Sequence, residues 1–541
     1  VDSDFSFCFV RGKHFGFVLS FSSDLKFKSA LMDPLQEKHQ PQGGDLSSSS
    51  DSISYPQSYE QQFNSHLLEE KEAARLSYRT SELLFDSGVE LVLFRKHLKD
   101  LNVSQILNAH HYAQEVVSES GHDVDVFLTA DIADNLMKIG LGPSKIDVGR
   151  LACEWLKEKQ SYKSMRLFLL AKLETYCVAQ MPSSLAPTPK DVVLYGFGRI
   201  GRLAARELIY QSGKGHQLRL RGIVTRDKSP QDIIKRAALL SNDSVHGAFK
   251  GTVTADVEKM ALCINGQYVQ MITSPAPEEV DYTKYGINDC LVIDNTGAFR
   301  TREALSRHLK AKGVSRVLLT APGKEAPNIV YGVNEHQFNY DEEHIFCAAS
   351  CTTNAIVPVL KVITNNFKIE KGHIETIHSY TNDQNLLDNY HNKTRRGRSA
   401  AINMVITETG AASAVVEALP QLKGLLTASA VRVPTPNASL AILNLTLDRE
   451  TSIEEINELH REASLRGDLV NQIHYSIDPE LVSSDVVGND RCSVFDSVAT
   501  NISGDKKSII LYVWYDNEHG YTRQVIRLAK HVMKVRRQMY Y

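Results

Sequence analysis

At roughly 100–200 residues per domain, a chain of 541 residues allows about three domains. Its 61 Lys and Arg against 64 Asp and Glu leave a net charge of −3, which argues against a polyanion as an obligatory partner while allowing local basic patches. No run of about 18 apolar residues occurs, so no membrane-spanning helix is expected.

Residues 1–31 precede the first methionine, Met32, and are rich in Phe and Ser. Arg11, Lys13, Lys26 and Lys28 suit a targeting peptide, whereas Asp2, Asp4 and Asp24 count against one. The next segment, through Ser47-Ser48-Ser49-Ser50-Asp51-Ser52, is too polar to offset chain entropy by burial, and 1–62 is expected to be disordered. Helical apolar spacing begins near residue 63 and recurs at 66–76, 89–98, 125–136 and 162–176, with Gly140, Gly142 and Pro143 as breakers. An all-α extension over 63–180 is expected. His110 and His111 have no carboxylate or thiol at ligand spacing, so they read as surface histidines rather than a metal site. The eight cysteines, Cys8, Cys153, Cys177, Cys263, Cys290, Cys347, Cys351 and Cys492, form no CxxC pair, which suits free thiols in a reducing compartment.

After a proline-rich linker at 181–189 the texture changes to short apolar runs alternating with helical stretches, the mark of a parallel sheet with crossover helices. Asp191 to Tyr195 reads as a buried strand. It enters Gly196-Phe197-Gly198-Arg199-Ile200-Gly201-Arg202, followed by a helix from Leu203. In this strand–turn–helix context the GxGxxG pattern predicts a dinucleotide site. Gly196 makes the tight turn, Gly198 lets backbone approach a pyrophosphate on the helix N-terminus, and Gly201 allows close helix–strand packing. The next strand, 218–225, ends at Arg226-Asp227. Asp227 would accept from an adenosine ribose and favour NAD, while Arg226 leaves NADP as the alternative.

A further strand, Ile345 to Ala349, runs into Ser350-Cys351-Thr352-Thr353-Asn354 and an apolar helix. At a helix N-terminus the Cys351 thiolate would be stabilised by free N–H groups, which could also receive an oxyanion. Cys347, within the strand, reads instead as a buried inert thiol. Lys393-Thr394-Arg395-Arg396-Gly397-Arg398 taken alone is either a solvated basic loop or a nucleic-acid patch.

The Gly196–Arg202 motif and the Cys351 block are joined by His378-Ser379-Tyr380-Thr381-Asn382-Asp383-Gln384, Thr409-Gly410-Ala411-Ala412 and Val431-Arg432-Val433-Pro434-Thr435-Pro436-Asn437. Val482-Ser483-Ser484-Asp485 and Trp514-Tyr515-Asp516-Asn517-Glu518-His519-Gly520-Tyr521 complete the series. In this order they resemble the glyceraldehyde-3-phosphate dehydrogenases over about 190–535. The resemblance implies an NAD-dependent phosphorylating aldehyde dehydrogenase of glycolysis, cytoplasmic and homotetrameric, with an organellar address as the alternative. It would oxidise D-glyceraldehyde 3-phosphate, with inorganic phosphate, to 1,3-bisphosphoglycerate. Cys351 would form a thiohemiacetal and then a thioester, with His378 as its proton partner. Gly196, Gly198, Arg199, Ile200, Gly201, Asp227, Thr320 and Asn517 would hold the cofactor. Thr381 and Arg432 would bind the substrate phosphate, and Ser350, Thr409 and Arg396 the inorganic phosphate, with Thr352 and Gly410 beside them. No metal, membrane or nucleic acid is implied.

The sequence departs from the family's habit in three places, the first being an N-terminal extension of about 190 residues outside the usual family length. Thr273 to Glu278 offers no basic residue for the adenine, and Asn389-Tyr390 match neither common cofactor-selecting pattern. Two alternatives stand beside the main reading. One is a dehydrogenase of a related phosphorylated aldehyde such as erythrose 4-phosphate. The other is a scaffold or regulatory binding protein acting through the extension. The fold expected is α/β: a dinucleotide-binding Rossmann domain at 190–350 and an α+β catalytic domain at 351–517 with a mixed, largely antiparallel sheet. A C-terminal helix at 518–541 would pack back on the cofactor domain.

Overall fold

The chain is described by a computed structural model over residues 58–117, 124–179, 188–213, 217–226, 229–535 and 537–541. Residues 1–57 of the expected disordered segment and most of the linker lie outside these residues, as does Asp227, whereas residues 59–62, also expected to be disordered, form the first turn of helix Tyr59–Glu82.

Eight strands form the first large sheet. Five neighbouring pairs are parallel: Ile345–Cys347, Val314–Leu319, Cys290–Asp294, Lys190–Tyr195, Leu218–Thr225 and Gln267–Thr273, in that spatial order. Ala261–Ile264 and Val253–Asp256 extend the far edge antiparallel. The strand order reverses beside Lys190–Tyr195, whose neighbours are Cys290–Asp294 on one side and Leu218–Thr225 on the other. A crevice opens at such a switch point, beyond the carboxyl ends of the strands. The central strands read as continuous apolar runs because helices cover both faces, and Val192, Val193 and Leu194 are fully buried.

The second sheet is mixed and mostly antiparallel. It runs Val405–Thr407, Leu426–Val433, Ile369–Ser379, Ser439–Leu447, Ser508–Tyr515, Ser493–Asp496 and Ile473–Ser476, with Asn501–Ile502 on Ser508–Tyr515. The helix Cys351–Asn366 lies against it, packing Ile356, Val359, Leu360 and Ile363 on Leu443, Leu445, Leu511 and Val513. The helix His519–Val532 returns to the first domain as expected. Its apolar face, with Tyr521, Val525, Ile526, Leu528 and Ala529, joins the core of the Rossmann domain.

The extension departs from its all-helical expectation. Helices Tyr59–Glu82, Val103–Val117, Val126–Leu136, Val148–Glu158 and Met165–Lys172 are present. They surround a four-stranded sheet ordered Lys96–His97, Glu90–Leu93, Ser144–Asp147 and Gln538–Tyr540. The run at 89–98, expected as helix, is therefore a strand, a two-residue turn and a second strand. All four residues of Glu90–Leu93 are buried, and a short apolar run fits a buried strand as well as a helix. Phe94 and Arg95 make the turn with positive φ. His110 is another correction. It is 3% exposed, and its ring nitrogens bond Ile106 O and Thr129 Oγ1, each at 2.8 Å, so it belongs to the core.

The turn is held by Asp147, which is fully buried. Its carboxylate accepts from the N–H groups of Phe94 at 2.9 Å and Arg95 at 3.2 Å, caps helix Val148–Glu158 through Gly149 N–H, and pairs with the Arg95 guanidinium. Removing one partner of a buried pair leaves the other charge uncompensated, at a cost of about 3–5 kcal/mol. Asp147→Ala is thus expected to unfold the extension before the catalytic body. Limited proteolysis would read this as early loss of fragments from residues 59–178.

Candidate functional site

The dinucleotide crevice is built from backbone. Gly196 has φ of +91°, and a Cβ there would lie 2.9 Å from Thr296 Cγ2. A Cβ on Gly201 would come within 2.5 Å of Gly196 O, so only glycine lets helix Arg199–Tyr210 seat against the turn. A Cβ on Gly198 would meet nothing within 4 Å, which leaves the helix N-terminus open to a ligand's phosphates. Ile200 follows in the first turn of that helix. The Arg199 side chain turns away to the carboxylates of Glu518 and Asp243, and His246 shares Glu518 at 2.9 Å. Across the crevice Thr320 bonds the carbonyl of Asp294 at 3.0 Å. The Asp294 side chain beneath is fixed by His308 at 2.9 Å. Asn517 spends its Oδ1 on the hydroxyls of Ser379 at 2.8 Å and Ser439 at 3.0 Å, which leaves its NH2 as the group for a carboxamide oxygen. These features fit NAD.

Ser350 caps the helix Cys351–Asn366 by accepting from Thr353 N–H at 3.0 Å, so Cys351 stands at the first helical position. Ala349, just before, is held in the left-handed region at φ of +53°, with its carbonyl bonded by Tyr521 OH at 2.9 Å. A non-glycine residue there stores strain that surrounding contacts must maintain. Cys351 Sγ lies 3.6 Å from Nε2 of His378, the penultimate residue of strand Ile369–Ser379. His378 Nδ1 lies 2.7 Å from Ser379 O, a contact that places the proton on Nδ1 and leaves Nε2 to accept from the thiol.

Arg432 is paired with His378 in register across two parallel strands. One of its nitrogens reaches His378 Nδ1 at 3.0 Å, Ser379 O at 2.9 Å and Thr381 Oγ1 at 3.2 Å, while its Nε is buried with no partner among the described residues. Thr381 and Arg396 both bond Asp383, and Arg396 also donates to Thr407 at 3.0 Å. A continuous polar chain therefore runs from Cys351 through His378, Arg432, Thr381 and Asp383 to Arg396. Thr352 bonds Tyr515 OH at 3.0 Å. Thr409 accepts from Ala411 N–H at 3.2 Å, and Gly410 heads the helix Ala411–Ala418, which packs on the Cys351 helix. Local sequence patterns did not single out Asp383, Thr407, Ser439 or Tyr515 as partners: Ser439 and Tyr515 pair with residues 60 or more positions away, and Asp383 and Thr407 meet Arg396 only through the fold of the intervening loop. Cys347 is fully buried, its thiol pushed up to about 12 by burial, and it fits the inert reading.

Burial pushes the Cys351 thiol up, against the pull of Arg432 and the first-turn groups. Burial and then the Arg432 charge press His378 down to about 3. Both shifts favour a neutral thiol beside a neutral imidazole. A thiol with a raised pKa gains thiolate only as pH rises, so alkylation of Cys351 by iodoacetamide should accelerate through alkaline pH. A rate already flat from pH 6 to 8 would indicate a preformed thiolate–imidazolium pair instead.

Taken together, fold and site define a dinucleotide-binding dehydrogenase. Residues 190–302 match the family model described as glyceraldehyde 3-phosphate dehydrogenase, NAD binding domain, and residues 350–517 match its C-terminal domain. A glyceraldehyde-3-phosphate dehydrogenase-like protein of Pseudomonas aeruginosa (strain UCBPP-PA14) is 47% identical over 450 residues, 83% of this chain and 96% of the relative. Glyceraldehyde-3-phosphate dehydrogenase 2 of Trichormus variabilis is 40% identical over 341 residues, 63% of this chain and 97% of the relative. Glyceraldehyde-3-phosphate dehydrogenase 1 of Bacillus subtilis is 38% identical over 344 residues, 63% and 98% of the two chains. The chain belongs to the glyceraldehyde-3-phosphate dehydrogenase family. The Pseudomonas match is longer than the stretch from residue 190 to the C terminus, so it reaches into the extension.

Proposed function

We propose that the chain converts D-glyceraldehyde 3-phosphate, inorganic phosphate and NAD to 1,3-bisphosphoglycerate and NADH. The observation that carries this reading is the 3.6 Å contact between Cys351 Sγ and His378 Nε2 at a helix head, with Arg432 touching the same imidazole. NAD supplies the hydride acceptor. Cys351 Sγ adds to the aldehyde carbon while His378 Nε2 takes the thiol proton and passes it to the former aldehyde oxygen. Loss of hydride from that carbon, with the hydroxyl proton returning to His378, leaves a thioester on Cys351. An oxygen of inorganic phosphate attacks the carbonyl, the C–S bond breaks, and the sulfur recovers a proton from His378. Arg432 with Thr381, and Arg396 with Ser350 and Thr409, receive the two phosphate groups, with Thr352 and Gly410 beside them. Arginine suits this because its planar fork can donate two hydrogen bonds to one oxyanion.

The protein is further proposed to be a cytoplasmic homotetramer. The loop at 385–406 supports association, because it presents Leu386, Leu387, Tyr390, Ile402 and Met404 at 73–84% exposure, an apolar patch that a lone chain seldom shows to water. Light scattering of Leu386→Asp/Ile402→Asp is expected to show smaller assemblies than the parent; an unchanged mass would remove this loop from the interface.

No helix among the described residues is long and apolar enough to cross a membrane. Steady-state NADH formation tests the reaction directly. Glyceraldehyde 3-phosphate and erythrose 4-phosphate should be compared, each with NAD or NADP and with or without phosphate. Turnover that ignores phosphate, or a higher kcat/KM for erythrose 4-phosphate, would overturn the proposal.

A further inference from the structure

A second polar cleft lies away from the Cys351 site, where the extension, the helix His519–Val532 and the C-terminal strand meet. It has about 80 Å³ of free volume, room for several waters or one tetrahedral oxyanion. Its charge is one-sided. Five cationic side chains line it, Lys145, Arg523, Arg527, Lys530 and Arg537, against the single carboxylate of Glu90. Arg523, Arg527 and Lys530 share one face of their helix by i, i+4, i+7 spacing, while Lys145 comes from strand Ser144–Asp147 and Arg537 from the chain after the helix.

Two of the five are compensated. Arg523 pairs with Glu207 and with Asp490 at 3.3 Å, and Arg537 with Glu90 at 3.3 Å. The other three have no carboxylate oxygen within 4.0 Å among the described residues. Lys145 Nζ meets His97 Nε2 at 3.2 Å and stands over the Tyr541 ring, 5.7 Å from its centroid. Arg527 donates to Gln524 Oε1 at 3.0 Å and Asp490 O at 2.9 Å, and Lys530 donates to Gln211. Arg523 and Arg537 are 5% and 8% exposed, and each keeps a buried Nε with no partner among the described residues. Burial first, helped by neighbouring cations, pushes Lys530 down to about 7, Lys145 to about 8 and Arg527 to about 10, against the opposing pull of Glu90 on the two lysines and of Asp490 on Arg527. Buried cations with no carboxylate at contact distance cost several kcal/mol each, so the arrangement leaves a place for an anion.

We infer that this cleft is a phosphate-binding site that clamps the extension to the catalytic body, its ligand held by Lys145, Arg527 and Lys530 with Arg523 and Arg537 behind them. Two sources share this chemistry. One is inorganic phosphate. The other is the phosphate of an aromatic organic ester, because a cavity of about 900 Å³ shares His97 and Arg523 with the cleft and is lined by Phe85, Phe94, Tyr112 and Phe249. That volume lies within the range of small-molecule pockets.

The test is thermal unfolding of the full chain with saturating NAD and the Arg396→Gln change, so that the cofactor crevice is filled and the proposed catalytic anion site is weakened. Inorganic phosphate, AMP and adenosine are titrated separately, each against Lys530→Gln and Lys145→Gln. Ligand that binds only the folded state raises the midpoint, by roughly 2 °C at a hundredfold excess over Kd for a protein of this size. The expected result is a rise with phosphate that is lost in both variants. A larger rise with AMP than with phosphate, and none with adenosine, would identify the organic ester. In phosphate-free buffer Lys530→Gln should unfold at or above the parent's midpoint, because it removes an unpaired charge. The proposal is overturned if phosphate and AMP shift parent and variants equally, if neither shifts the parent, or if Lys530→Gln lowers the midpoint without ligand.

Discussion

Cys351→Ser is expected to abolish aldehyde oxidation while NAD still binds with the parent's affinity. A serine hydroxyl keeps the shape of the helix head, and the capping bond from Thr353 N–H to Ser350 does not involve position 351. What is lost is nucleophilicity. A thiol is intrinsically far more nucleophilic and far more acidic than a hydroxyl, which would need a much stronger base than an imidazole held near 3. NAD should be unaffected because its crevice is assembled from the Gly196–Gly201 turn, Thr320 and Asn517, none of which bonds the cysteine side chain. Fluorescence titration with NADH, alongside the rate assay, separates the two. Turnover within tenfold of the parent would remove Cys351 from the chemistry, and joint loss of binding and turnover would point to a damaged fold.

His378→Asn carries the second largest expected effect. Asparagine can still donate from its amide near the position of Nδ1 to Ser379 O, so the strand end should persist. It cannot take the thiol proton. Loss of a positioned general base costs about 10²–10⁴-fold, and the deficit should fall on kcat with little change in KM for either phosphate species. Alkylation of Cys351 should slow as well if Nε2 accepts the thiol proton in the resting protein. A change confined to KM would assign His378 to phosphate binding beside Arg432, with which it makes a 3.0 Å contact.

The parts of the site that were legible in the sequence are those with local causes. The dinucleotide turn follows from glycines whose spacing serves one tight turn and one close approach. The position of Cys351 follows from a strand running into a capped helix. His378 and Arg432 lie 54 residues apart, and only the parallel pairing of their strands brings them together. Periodicity carries no record of which strands become neighbours, so the motifs were needed to connect the two. Asp383 shows the same limit: it stood inside a recognised motif, yet its bonds to Thr381 and Arg396 appear only once the 381–398 loop folds back on itself. The extension was the least legible region. Its sheet takes a final strand, Gln538–Tyr540, from the far end of the chain, and Glu90–Leu93 is buried enough to lose the alternation that marks a strand. The same long-range closure creates the basic cleft, since Lys145 and Arg537 belong to segments almost 400 residues apart in sequence.

The most direct test of the proposed reaction is the covalent intermediate. The protein is mixed with glyceraldehyde 3-phosphate and NAD in phosphate-free buffer, quenched in acid, and mapped by peptide mass spectrometry. The expected result is a phosphoglyceroyl thioester on the peptide carrying Cys351, absent without NAD and cleared by inorganic phosphate before the quench. Free Cys351 under all three conditions, while NADH is still produced, would contradict it.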